Sequence, residues 1–339
     1  MRSVNLLELK DHIKLCVVVN EIPFVAGSPG IGKSAIYAAL AKELNLEFID
    51  FRLSMCDQVD LNGFPQIVEG KSAYAPPAIF PLEGDELPEG KDGWLISMEE
   101  INSAPKSIQA IAYKLLHDRM VGNFKLHPKV RFVANGNLET DGAVVMPMSS
   151  ALASRMIQYV AEIEPKSWLQ WAMSSGKFHP MVLGYLGYKP SNVHRFDPTS
   201  SDKAFPCPRT WEKVSKLLNL EPNIDKIRIS IEGAVGEGTT QDMVAFTKFF
   251  HEVPKMQDVL KDVHTFPLSD RGINYATLLT FVDSSTEDQF LDLLPFFDRM
   301  GVESAVMALR IRIQTKGHGN LKTDPRFMAA VSKYASLIR

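Results

Sequence analysis

Short apolar or alternating runs recur through the first half of the chain, with helix-spaced stretches between them. Val4 to Asn20 carries Leu6, Leu7, Ile13, Leu15 and Val17 among charged residues, which predicts an amphipathic helix. Ile22-Pro23-Phe24-Val25-Ala26 reads as a buried strand, the stretch from Ala35 to about Leu44 as a helix, and Glu47–Phe51 as a second, alternating strand. Asp57 to Glu89 is rich in Gly and Pro and reads as a long structured insertion or loop; loops of that length usually carry function. Trp94–Met98 predicts a third strand that stops at Glu99-Glu100, and Pro105 opens a helix through Ile108, Ile111, Ala112, Leu115 and Leu116. A hairpin over Val121–Leu126, a fourth strand over Val130–Ala134, a short helix over Ser149–Ser154 and a fifth strand over Met156–Ile163 complete this half. Strands separated by helices argue for a parallel sheet covered on both faces.

Beyond Pro165 the strand signals fade. Ser167–Ser174, Pro208–Leu220, Gln241–Glu252, Tyr275–Phe281, Asp288–Met300 and Asp324–Ile338 read as helices, punctuated by Pro and Gly. The expected division is 1–164, an α/β core; 165–222, a helical lid; and 223–339, a C-terminal helical extension.

Composition changes this picture little. The chain has 339 residues and a formal net charge of −3, which argues against a bulk nucleic-acid or membrane surface. Cys16, Cys56 and Cys207 lie far apart, without disulfide or metal spacing, and no apolar stretch approaches the length of a membrane span. With no signal-peptide pattern, the expected location is the cytoplasm.

Candidate chemistry begins at Gly27-Ser28-Pro29-Gly30-Ile31-Gly32-Lys33-Ser34, between the first buried strand and the helix opening at Ala35. This is a phosphate-binding loop. Its glycines let backbone N–H groups turn inward around a polyphosphate, Lys33 adds a positive charge, and the Ser34 hydroxyl can hold Mg²⁺. Hydrolysis also needs a carboxylate near the metal, a group that orients water, and positive charge for the γ-phosphate. Glu99 and Glu100 end a buried strand, where a parallel sheet places its ligand crevice: the first would serve Mg²⁺ and the second the attacking water. Asn137 ends the next strand and could reach the same water or the γ-phosphate.

These motifs, with Glu99–Pro105, Phe132–Asn137 and Leu152-Ala153-Ser154-Arg155-Met156, resemble those of the AAA+ ATPases in order and spacing, most closely the MoxR-like branch. The resemblance covers roughly residues 5 to 220. It implies a five-stranded parallel core sheet with helices on both faces, a helical lid, and a ring, usually of six, with ATP between neighbours. Gly27 to Ala35 would bind the nucleotide, Ser34 and Glu99 would serve Mg²⁺, Glu100 would be the catalytic carboxylate and Asn137 the first sensor. Arg155 matches the arginine pushed into a neighbour's site, and Arg209 the lid arginine called the second sensor. The family usually has Asp where Glu99 stands, so the reach to the metal's water shell changes. A protein partner, one with a von Willebrand factor A domain among the candidates, is a further implication. The insertion around Asp57–Pro65 matches one that faces the ring pore or a partner.

Two other functions stay open on the sequence: an ATP-gated assembly module with little turnover, and a nucleic-acid motor, against which the near-neutral charge argues. Gly233–Thr239 lacks the lysine of a second phosphate loop and reads as a helix-breaking turn. The histidines show no metal spacing, and Arg310, Arg312 and Lys316 read as a solvated helix face.

Overall fold

The computed structural model describes residues 2–142, 145–200, 202–317 and 321–334. Ten strands occur among them: β1 (Ser3–Asn5), β2 (Ile22–Gly27), β3 (Glu47–Arg52), β4 (Phe64–Val68), β5 (Lys71–Ala75), β6 (Trp94–Glu99), β7 (Met120–Val121), β8 (Phe124–Lys125), β9 (Val130–Gly136) and β10 (Met156–Glu162). Six form one parallel sheet in the order β1-β10-β2-β9-β6-β3. The sheet therefore has one strand more than the five expected. The extra strand is β1, whose Ser3, Val4 and Asn5 pair with Val160, Ala161 and Glu162 at the edge. Asn5 then caps the helix Leu6–Val18, its side chain accepting from the Leu7 N–H, so the helix begins two residues later than the periodicity of Val4–Asn20 suggested.

Period two decides which side chains enter which layer. Phe24, Ile96, Met98 and Phe132 pack on one face with Ile108, Ala112, Leu115 and Leu116 of the helix Lys106–His117. Val25, Leu95, Val133 and Ala161 point to the other, against Leu9, Ile13 and Val17 and against Ile36, Tyr37 and Leu40 of the helix Lys33–Glu43. Each fully buried Leu or Phe contributes about 1.5–3 kcal/mol. Because both faces are covered, β6 is buried along its whole length, and its polar residues Ser97 and Glu99 are held inside the fold.

The stretch from Asp57 to Glu89 contains a short helix, Gln58–Asn62, and the antiparallel hairpin β4–β5, turning at Glu69-Gly70. The hairpin is largely solvent-facing, with Phe64 70% and Ile67 75% exposed. Gly122 supplies a positive φ to the small hairpin β7–β8.

The described residues group into two compact units, divided between Ile163 and Glu164, with Asp197–Thr199 belonging to the first. The second unit is helical. Helices Pro165–Ser175, Pro208–Leu220, Glu237–Lys248, Arg271–Ser284, Glu287–Arg299 and Pro325–Lys333 correspond to stretches expected from the sequence, although the end of Asp324–Ile338 lies outside the described residues. Pro180–Tyr188, Ile224–Val235 and Met256–Lys261 were not anticipated, and Val302–Lys316 only at its end, where the basic residues read as a helix face. Gly236, with φ 85°, separates two helices within the glycine-rich stretch read as a turn. The basic cluster needs correction. Arg312 is buried, donates to the Val282 and Ser285 carbonyls at 3.2 and 2.9 Å, and lies over the Phe290 ring, so it closes the end of the helix Arg271–Ser284. Among the described residues no helix is long and apolar enough to cross a membrane.

His179 gives this unit a titratable cap. Its Nδ1 accepts from the Met181 N–H at 3.1 Å at the start of Pro180–Tyr188, and burial holds its pKa below the usual 6.5. The unfolded chain then binds this proton more readily than the folded one. Its contribution to stability is therefore complete above the unfolded pKa and lost as pH falls through the folded value. The melting temperature should fall between about pH 7.5 and pH 5.5, and the fall should be smaller in His179→Asn, which keeps a cap but does not titrate.

Candidate active site

The phosphate loop leaves β2 at the middle of the sheet and enters the helix Lys33–Glu43. Gly30 and Gly32 have φ of 78° and 106°, values that disfavour any side chain and that turn successive N–H groups to one side. The Lys33 ammonium lies within the loop, donating to the Gly27 and Ser28 carbonyls at 2.5 and 3.1 Å. Ser28 Oγ donates to Asp141 Oδ1 at 3.3 Å, tying the loop to the segment after β9. The first turn of the helix adds its N–H groups and dipole, both favourable to an anion.

Two strands away, β6 delivers the carboxylates. Glu99 is 4% exposed and accepts hydrogen bonds from Ser34 Oγ at 2.6 Å, Ser97 Oγ at 2.5 Å and Asn135 Nδ2 at 2.6 Å. The longer side chain therefore reaches the phosphate-loop serine directly. Ser97, two residues earlier on the same strand face, backs the carboxylate from below. Tyr37 donates to the Ala134 carbonyl at 2.8 Å, and its pKa is pushed well up, first by burial and then by the nearby Glu99 charge.

Glu100 follows in the left-handed region, φ 56° and ψ 37°, sparsely populated for a residue with a Cβ. Two contacts hold this conformation. Its N–H donates to Asn135 Oδ1 at 3.1 Å, and its carboxylate accepts from Ser54 Oγ at 2.6 Å. Backbone strain of this kind concentrates where a side chain must be aimed.

Asn137 is the residue after β9. Its backbone N–H and carbonyl are both engaged by the Asn102 side chain, at 3.1 and 2.8 Å. Asn102 and Asn137, with Phe24, Ala26, Pro147 and Met148, line a cavity of about 200 Å³.

The structure thus brings Gly27–Ala35, Glu99, Glu100 and Asn137 together at the carboxyl ends of β2, β6 and β9. It does not bring Arg155 into contact with them. Arg155 is exposed between the helix Ser150–Ala153 and β10, with its guanidinium 3.5 Å from His117 Nε2. Arg209 is exposed in the first turn of Pro208–Leu220 in the second unit.

Ser54, Ser97, Asn102 and Asn135 also belong to the site but were not predicted as site residues. Ser97 had a legible signal, a polar side chain at i−2 from Glu99 inside an apolar run. Asn135 lay inside the Phe132–Asn137 motif without a role of its own, and Ser54 carried no signal.

A phosphate loop, a hydroxyl bonded to a buried strand-end carboxylate, and a polar residue on the intervening strand lie side by side, a set of groups chemically suited to a polyphosphate and a hard metal ion. No protein-family model and no curated protein sequence matches the chain. Among solved structures, the chain is similar to a candidate ATPase from Cytophaga hutchinsonii, at 11% identity and a TM-score of 0.36, covering 89% of this chain and 79% of that one. It is also similar to the RuvB Holliday junction branch migration motor of Thermotoga maritima, at 15% identity and a TM-score of 0.39, covering 85% of this chain and 87% of that one. Likeness at this level assigns neither substrate nor partner.

Proposed function

We propose that the chain is a Mg²⁺-dependent ATPase that works in a ring, of six subunits by the MoxR-like resemblance, and couples ATP turnover to remodelling or maturation of a protein partner. One observation carries the reading: Ser34 of the phosphate loop and Glu99 of β6 are 2.6 Å apart, with Glu100 next in the chain. Two hard oxygen donors suit Mg²⁺, which keeps most of its water and needs few protein ligands. Bound at Ser34 and Glu99, the ion would neutralise charge on the phosphates.

The protein groups then have separable tasks. The loop N–H groups and Lys33 bind the phosphates. Glu100 accepts a proton from the attacking water, whose oxygen bonds to the γ-phosphorus as the β,γ-bridging oxygen leaves with ADP. Asn137 contacts the γ-phosphate, and Arg155, which is exposed, completes the site of a neighbouring subunit. Arg209 acts from the lid. The solvent-facing hairpin β4–β5, with apolar Phe64 and Ile67, supports a partner contact in the insertion; a von Willebrand factor A domain is the class that the resemblance suggests.

One observation favours the alternative of an ATP-gated assembly module with little turnover. Glu99 already receives hydrogen bonds from Ser34, Ser97 and Asn135, a setting that favours a fixed carboxylate over one that exchanges partners during a cycle. Phosphate release separates the two readings. In the ring reading, Lys33→Ala and Arg155→Ala subunits are each inactive alone and regain activity when mixed, because each supplies what the other lacks. Mixed rings that stay inactive would remove the shared site, and particle mass with ATP and Mg²⁺ shows whether rings form at all.

A further inference from the structure

The parallel ladder between β6 and β9 ends where Met98 lies opposite Ala134. Beyond that point two asparagine side chains continue it in both directions. From the β9 side, Asn135 accepts from the Glu100 N–H at 3.1 Å and donates to Glu99 at 2.6 Å. From the β6 side, Asn102 accepts from the Asn137 N–H at 3.1 Å and donates to the Asn137 carbonyl at 2.8 Å. Each amide meets one donor and one acceptor, which defines its orientation, and both side chains are buried. The Asn102 carbonyl also accepts from the Met146 N–H at 2.7 Å, so one residue holds two segments that follow β9.

Gly136 is shaped to this contact. A Cβ there would have as its three nearest atoms Oδ1, Cγ and Nδ2 of Asn102, at 2.2, 2.5 and 2.8 Å. Its φ is not positive, so the backbone itself accepts an L side chain, and the obstacle is Asn102.

We propose that Asn102 is a positioning residue for nucleotide-state discrimination: by clamping the backbone of Asn137, it sets that side chain against Glu100 so that a triphosphate is distinguished from a diphosphate. This rests on the reading of the site as an ATP site. A residue that merely stabilised the fold would lower melting temperature without altering selectivity between nucleotides. A positioning residue changes selectivity and turnover together, and it acts through Asn137.

The test compares wild type with Asn102→Ala, Gly136→Ala, Asn137→Ala and the doubles Asn102→Ala/Gly136→Ala and Asn102→Ala/Asn137→Ala in the full chain. Calorimetry gives the Kd of ATP and of ADP with Mg²⁺, and phosphate release gives kcat. Asn102→Ala should lose about 10- to 100-fold in kcat and in preference for ATP over ADP, the usual range for an outer residue that orients a reacting group, with ADP affinity retained. Gly136→Ala should reproduce this by displacing the amide, yet add nothing once Asn102 is already alanine. Asn102→Ala should likewise add nothing to Asn137→Ala, because residues acting as a unit are not additive. Losses that multiply, or intact ATP selectivity beside a lowered melting temperature, would overturn the proposal. If Asn102→Ala fails to fold, Gly136→Ala, which keeps the asparagine, carries the comparison. Wild type that binds no nucleotide overturns the ATP-site reading and this inference together. Wild type that binds ATP but releases no phosphate overturns only the turnover reading, and ATP/ADP selectivity still decides the role of Asn102.

Discussion

Glu100→Gln should bind ATP as wild type does and release phosphate slower by about two to four orders of magnitude, the range over which a positioned acid or base contributes. The substitution is nearly isosteric. The amide oxygen still accepts from Ser54 Oγ, and the backbone N–H still donates to Asn135, so the left-handed conformation at φ 56° survives. What disappears is the negative charge that, in the proposed mechanism, takes the proton from water. Direct binding of ATP and Mg²⁺, measured beside phosphate release, checks both halves of the expectation. Wild-type turnover in this variant would remove Glu100 from the chemistry and make Glu99 the next carboxylate to test.

The second large effect is expected at Glu99→Gln, for a different reason. Glu99 is buried and faces three donors, the Ser34 and Ser97 hydroxyls and the Asn135 amide. A carboxylate accepts from all of them; a glutamine offers one acceptor oxygen, and where its N–H₂ group takes the place of the other, the donor that faced that oxygen loses its acceptor. That conflict leaves a buried polar group mispaired, costing about 1–3 kcal/mol of stability. If Glu99 serves Mg²⁺ as proposed, the lost charge also weakens that hold, so phosphate release should fall by about two orders of magnitude and the Mg²⁺ concentration needed for activity should rise. Glu99→Asp discriminates charge from reach. It keeps an acceptor-only group but shortens it by one methylene, so it should retain stability better than the glutamine while losing its direct contact with Ser34. Equal activity in the aspartate variant would mean that reach to Ser34 is not what matters here.

Local periodicity explains why much of the first unit was legible. Consecutive residues of a strand point to opposite faces, so Phe24 and Val25, or Phe132 and Val133, show an α/β sheet covered on both sides before any contact is known. The edge strand β1 escaped because three residues give too little alternation to read, and its pairing with Val160–Glu162 is a long-range contact. Helix Pro180–Tyr188 and the first part of Val302–Lys316 escaped because they are buried on several sides: Val182 to Gly187 and Ser304 to Leu309 are continuous buried runs. A helix buried all round shows no polar face for periodicity to detect. Arg312 misled for the complementary reason, since a charge within two residues of Arg310 suggests a wet face until the carbonyls it caps are known.

The chain by itself determined the phosphate loop, the acidic strand end and the polar strand end after it, because each is a local matter: glycines that permit positive φ, a lysine and serine at a helix start, carboxylates where an apolar run stops. Only the tertiary structure decided that Glu99 spans the distance to Ser34, that Ser54 and Asn135 hold Glu100 in its strained conformation, and that Asn102 clamps Asn137. Each joins residues 35 to 65 positions apart. Such pairings depend on which strands lie side by side in β2-β9-β6-β3, and strand order is a property of the packed sheet. Hydrogen bonds at 2.6–3.1 Å are set by that packing, to a precision that no spacing along the chain encodes.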